Sequence, residues 1–174
     1  MALRHMFIAS LAIAFAAPAS AQFSSDRDAP TVIDADVADS QPGYILLSGQ
    51  VDVRQAEVRV LADTMKIFTE GSSNDVNDGI RRIEAAGNFY YITPDQEVKG
   101  AQGIYEGASE TVTVTGDVVL LQGENVVTGD KLIYNTRTQE AKVVGTCQGR
   151  KCGSTGRVRI LIKQQNDAQS APAP

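Results

Sequence analysis

Histidine is all but missing from this chain: the one copy, His5, sits among the first few residues. If that segment is removed, the commonest general base and the commonest metal ligand go with it. Tryptophan is absent, which takes away the aromatic platform that sugar-binding clefts lean on. No Gly-x-Ser-x-Gly, no glycine-rich phosphate loop and no metal-ligand cluster occurs. Basic residues form no stripe and the formal net charge is −5, so nucleic acid is not an expected partner. These absences together argue against an enzyme and against any cofactor or metal.

What is present begins with an export signal. Arg4 supplies a positive start, Met6 to Ala17 is almost wholly apolar, Pro18 breaks the run, and Ala19-Ser20-Ala21 reads as a cleavage site. The run is shorter than the roughly 20 residues needed to span a bilayer. Residues 1–21 are therefore expected to be a cleaved secretory signal peptide, residues 22–29 a flexible N-terminal segment, residues 30–163 one folded domain, and residues 164–174, rich in Gln, Ala, Ser and Pro, a loose tail.

Within the body, apolar residues recur at every second position, as in Val51/Val53, Val58/Val60, Phe89/Tyr91, Val112/Val114 and Val118/Leu120. Most are β-branched or aromatic, which predicts strands with one buried face. No window sustains a helical period, so the fold class is all-β. A repeat runs through it. Gly87, Gly116 and Gly145 stand 29 residues apart, and Gly49 opens a related unit. Two and four residues after the first three unit glycines come Val51/Val53, Phe89/Tyr91 and Val118/Leu120. Further on come Val60, Val98 or Val127, then a small residue (Ala62, Gly100 or Gly129) followed by Asp63, Ala101 or Asp130, then Ile67, Tyr105 or Tyr134. The unit at Gly145 is degenerate, though Val158, Ile160 and Ile162 resume the alternation. One such unit cannot bury its own apolar face, so several are expected to stack into an elongated sheet pair with one continuous interior. Thr69 to Gly79 reads as a polar insertion, either a solvated loop or a partner-docking loop.

Cys147 and Cys152 are the only cysteines. An even pair across a glycine-containing turn suggests a disulfide in an oxidising compartment, with a redox dithiol or a metal site less well matched to the spacing. Asp34, Asp36, Asp63, Asp117 and Asp130 are expected to serve turns and strand ends; a glycosidase would need two carboxylates facing each other across a cleft.

Asp34-Ala35-Asp36, Leu47-Ser48-Gly49-Gln50-Val51-Asp52-Val53, Leu61-Ala62-Asp63 and Gly129-Asp130-Lys131-Leu132-Ile133-Tyr134-Asn135 resemble the motifs of the OstA-like family. The resemblance covers about Pro30 to Ile162. It implies a twisted, V-shaped antiparallel β-jelly roll, elongated and open at both ends, in the periplasm. Its protomers would join head to tail through their terminal strands, bridging an inner-membrane export complex and an outer-membrane translocon. Lipopolysaccharide would ride with its lipid A acyl chains in the apolar interior. The cysteine pair and the tail after Lys163 depart from the family pattern. The expected lipid-binding lining is Ile45, Leu47, Val51, Val53, Val58, Val60, Met65, Ile67, Phe89, Tyr91, Tyr105, Val112, Val114, Val118, Leu120, Val127, Leu132 and Tyr134, with Thr31 and Ile33 at the N-terminal mouth. The rival readings are another component of the same export machinery, a ligand-free β-scaffold with a dry core, and a secreted glycan-active enzyme.

Overall fold

The computed structural model describes residues 29–71, 79–147, 152 and 156–163. The expected export signal, residues 22–28 of the expected N-terminal segment, the expected tail and residues 72–78 of the polar insertion lie outside them.

The described residues form ten strands: β1 (Thr31–Asp34), β2 (Val37–Gln41), β3 (Tyr44–Gln55), β4 (Val58–Thr69), β5 (Ile80–Ile92), β6 (Gln96–Glu106), β7 (Thr111–Gln122), β8 (Asn125–Asn135), β9 (Ala141–Val144) and β10 (Arg159–Leu161). All belong to one antiparallel sheet, ordered β1-β3-β4-β5-β6-β7-β8-β10, with β2 also on β3 and β9 also on β8. The six long strands follow one another as a meander. Tight turns at Pro42-Gly43, Ala56-Glu57 and Gly123-Glu124, with Gly43, Ala56 and Gly123 at positive φ, return the chain between neighbours.

The expected sheet pair is in fact one sheet with a crease, and the repeat makes the crease. At Gly49-Gln50, Gly87-Asn88 and Gly116-Asp117 both residues of each pair have positive φ. Each pair opposes a single residue of the following strand, Asp63, Ala101 or Asp130, across a register shift. These are β-bulges, which bend a strand and increase its twist. The residue facing each glycine sits close on the backbone. A Cβ at Gly49 would lie 2.1 Å from Asp36 Oδ2, one at Gly87 2.2 Å from Asp63 Oδ2, and one at Gly116 2.6 Å from the Ala101 Cβ. Only glycine satisfies the backbone angle and the close approach together. The contacts run from strand to strand across the sheet, so every long strand bends at the same level.

On one side of the crease the leaf consists of β1, β10 and the halves of the long strands that pair with them. The other leaf holds β2, β9 and the remaining halves. The leaves close toward one another as an elongated, V-shaped β-jelly roll. Asp63, Asp117 and Asp130 therefore lie in mid-strand rather than at strand ends or turns, because they build the crease. Asp34 does end β1, and Asp36 occupies the bend before β2.

Candidate functional site

Alternation keeps its phase through the bulged strands: Leu47 and Val51 both point inward, as do Val114 and Val118. In the strands between, the phase slips by one residue at the crease. Inward positions in β4 are Val58, Val60 and Ala62, then Met65 and Ile67, and β6 changes likewise from Val98 to Tyr105. The bend and the slip turn the apolar face of both leaves to the inside.

The expected lining residues sit together on that face. Leu47, Val51, Val53, Val58, Val60, Met65, Ile67, Phe89, Tyr91, Tyr105, Val112, Val114, Val118, Leu120 and Leu132 are all buried, and Ile45, Val127 and Tyr134 are half-buried against them. Burial is complete beside the crease, with Val114 and Val118 both 0% exposed, and it is lost on the outermost strands. Ile33 on β1 is 40% exposed and Ile160 on β10 is 60% exposed. Thr31 is exposed on the same inward face of β1, its position opposite Gln55. Ile83, Ala85, Val98 and Val143 also belong to this interior and were not in the expected lining. The signal for the first two was available. They precede Gly87 by four and two residues, as Ile45/Leu47 precede Gly49 and Val112/Val114 precede Gly116.

The leaves meet through a few close contacts. The Phe89 ring lies over Gly103, where a Cβ would come within 2.3 Å of it, and a Cβ at Gly100 would come within 2.4 Å of Val114. Tyr91 and Tyr134 face each other with ring centroids 6.1 Å apart. A cavity between the leaves is lined by residues of both, among them Val53, Val60, Met65, Phe89, Tyr91, Tyr105 and Val112. Its free volume is about 20 Å³, room for one water-sized molecule.

The interior carries no charge. Among the described residues the buried polar side chains are Gln55 and Thr69, and Gln55 Nε2 donates to the Ala29 carbonyl at 3.3 Å. Burial, with Tyr134 alongside, pushes the Tyr91 hydroxyl well above the ordinary tyrosine range, so it stays protonated. The charges lie outside. Arg59 donates to Asp52 at 2.9 and 2.7 Å, and Arg54 reaches both Asp52 and Asp34, tying β1, β3 and β4 together on the solvent face. The Arg59 hydrogen bonds hold the Asp52 carboxyl below its usual range. Among the described residues no Asp, Glu, Lys or Arg is buried, and no group of three possible metal ligands occurs. The chemistry on offer is the burial of apolar matter.

Cys147 and Cys152 are joined by a disulfide, with Cα atoms 5.9 Å apart, in the segment between β9 and β10. The Cys147 N–H donates to the Gly156 carbonyl at 2.8 Å, closing the base of that segment. The polar insertion is closed similarly, by Glu70 N–H donating to Gly79 at 3.0 Å.

Residues 33–140 match the family described as LptA/(LptD N-terminal domain) LPS transport protein. The lipopolysaccharide export system protein LptA of Escherichia coli is 27% identical over 97% of this chain and 92% of its own length. The lipopolysaccharide export system protein LptH of Pseudomonas aeruginosa is 24% identical, over 83% of this chain and 85% of its own. A crystal structure of that LptH is titled as the LptA homologous periplasmic component of the conserved lipopolysaccharide transport device. It superposes with a TM-score of 0.65 at 19% identity, covering 81% of this chain and 100% of that one. At that identity the likeness speaks for the fold.

Proposed function

Since this chain belongs to the LptA/LptD N-terminal-domain family of LPS transport proteins, we propose that it is a periplasmic, non-enzymatic carrier of lipopolysaccharide. The observation that carries the proposal is the apolar interior, one buried cluster spanning β3 to β8, with the exposed apolar residues Ile33 on β1 and Ile160 on β10 at its two edges. Burying one methylene is worth about 0.8 kcal/mol, so an acyl chain of about a dozen carbons costs on the order of 10 kcal/mol to expose to water. Crossing an aqueous compartment therefore requires a continuous apolar path.

The lining named above would hold the lipid A acyl chains, with Thr31 and Ile33 at the N-terminal mouth and Ile160 at the other. Among the described residues, β1 and β2 at one edge and β9 and β10 at the other pair with no further strand on their outer side. Exposed edges of this kind invite strand pairing, and here they would join copies of the chain head to tail. They would also join the bridge to an inner-membrane export complex and an outer-membrane translocon by β-augmentation. The energy for transport would come from those partners, since the sequence holds no nucleotide motif. The export signal at residues 1–21 fits delivery to that compartment.

Native mass spectrometry of the protein purified from a lipopolysaccharide-producing host tests the reading. A carrier retains a lipid A-containing adduct. Adduct-free protein that also fails to take up added lipopolysaccharide would mean a dry-core scaffold.

A further inference from the structure

The three complete units seal the interior in two different ways. Two and sixteen residues after the unit glycine, the first unit has Val51 and Met65 and the third has Val118 and Leu132. The middle unit has Phe89 and Gly103. Bulk has been exchanged between leaves: Phe89 lies on β5 beyond the crease, whereas Gly103 lies on β6 in the opposite leaf. In the flanking units both partners contribute side chains, and all four are buried. In the middle unit one partner is bare backbone, and the Phe89 ring lies where a Gly103 Cβ would otherwise stand, within 2.3 to 2.7 Å of that position.

The middle of the interior is thus closed at this point by one side chain with two rotatable torsions. The neighbouring cavity, with its free volume of about 20 Å³, is far too small for an acyl chain. Something must move before such a chain enters, and Gly103 offers no side chain that has to move with the ring.

We propose that Phe89 is the gate of the interior: its ring closes the middle unit against Gly103 and rotates away to admit an acyl chain between the leaves. The inference rests on the carrier reading and adds the residue that controls loading. It makes the middle unit the point of admission, with Val51/Met65 and Val118/Leu132 as fixed packing on either side.

Stopped-flow fluorescence with cis-parinaric acid, a fluorescent fatty acid, tests it on the mature protein, with folding checked by circular dichroism. Phe89→Ala is expected to load at least tenfold faster than the unchanged protein, and Phe89→Leu several-fold faster. The double variant Phe89→Val/Gly103→Met copies the first unit and is expected to load at least fivefold more slowly. If Phe89→Ala does not fold, Phe89→Leu carries the same test. Loading of the folded Phe89 variants at the unchanged rate, with the parent binding normally, overturns the gate and leaves the carrier reading standing. A parent protein that binds neither cis-parinaric acid nor lipid A removes the carrier reading, and the gate falls with it.

Discussion

At the N-terminal edge, β1 and β2 are separated only by Ala35 and Asp36, and the chain crosses the crease as one bent strand. At the C-terminal edge, β9 and β10 are the corresponding half-strands, set on the two halves of β8, but the segment from Gly145 to Val158 lies between them. The first crossing is held by the Asp36 N–H donating to the Gly49 carbonyl at 3.0 Å and by the Asp36 side chain lying on that glycine. The second is held by a clamp. Thr146 N–H donates to Asp130 Oδ2 at 2.6 Å, Cys147 N–H donates to Gly156, and the disulfide follows at once. Gly156 has positive φ, and Val158 and Ile160 follow it at two and four residues, as Val118 and Leu120 follow Gly116. The crease thus tolerates an inserted segment when the two ends of that segment are tied to each other and to the neighbouring strand.

The sharpest way to break this comparison is at the intact crossing. Gly49→Val combines a backbone angle of φ +80° with a Cβ 2.1 Å from Asp36. It should cost at least about 3 kcal/mol in urea unfolding. Gly123→Val is the control, because Gly123 has positive φ but nothing within 4 Å of an added Cβ, and strain alone should cost about 1 kcal/mol. Equal losses at the two sites would mean that close packing across the crease is unimportant.

The clamp is the next lever. Replacing Cys147 and Cys152 together by Ser should cost about 2 kcal/mol at most, since the closed loop is short. Hydrogen exchange should quicken at Ile160 and Leu161 and stay unchanged at Val32 and Ile33. Equal acceleration at both edges would show that the two crossings are not independent.

The smallest effect is expected at Asp52, on the solvent face beside β1. Its folded pKa is lowered by Arg59, so its contribution to stability is present above the unfolded value of about 3.9 and is lost as pH falls through the folded pKa. Asp52→Asn should be less stable than the parent at pH 7, and the two stabilities should converge on acidification below about pH 4. Pairs this exposed are screened by water and salt, so the difference should shrink further at high salt.

Much of this architecture was legible from residue order. The alternation marks the strands, and the recurring glycines mark the unit. The motifs around Asp34, Gly49, Asp63 and Gly129 lead to the family that the comparisons find. The crease was hidden in plain pattern. Gly49, Gly87 and Gly116 mark the start of each unit in the sequence, yet they are bulges inside long strands, because glycine with a following Gln, Asn or Asp serves a turn or a bulge alike. The giveaway was the phase slip from Ala62 to Met65, from Gly100 to Gly103 and from Gly129 to Leu132, where strict alternation would have required an even step. The pairing of Phe89 with Gly103 was not legible, since it depends on which leaf each residue joins after the bend. Nor could alternation say how nearly the leaves close.

The central claim, that acyl chains lie against the inner face, is tested most directly by site-specific photocrosslinking in cells. A photoreactive residue at Leu120, buried on the inner face of β7, is compared with one at Val119 on its outer face. The account predicts a lipopolysaccharide adduct from Leu120 and none from Val119. Folded protein that gives no adduct at Leu120, or an equal adduct at both positions, would contradict it.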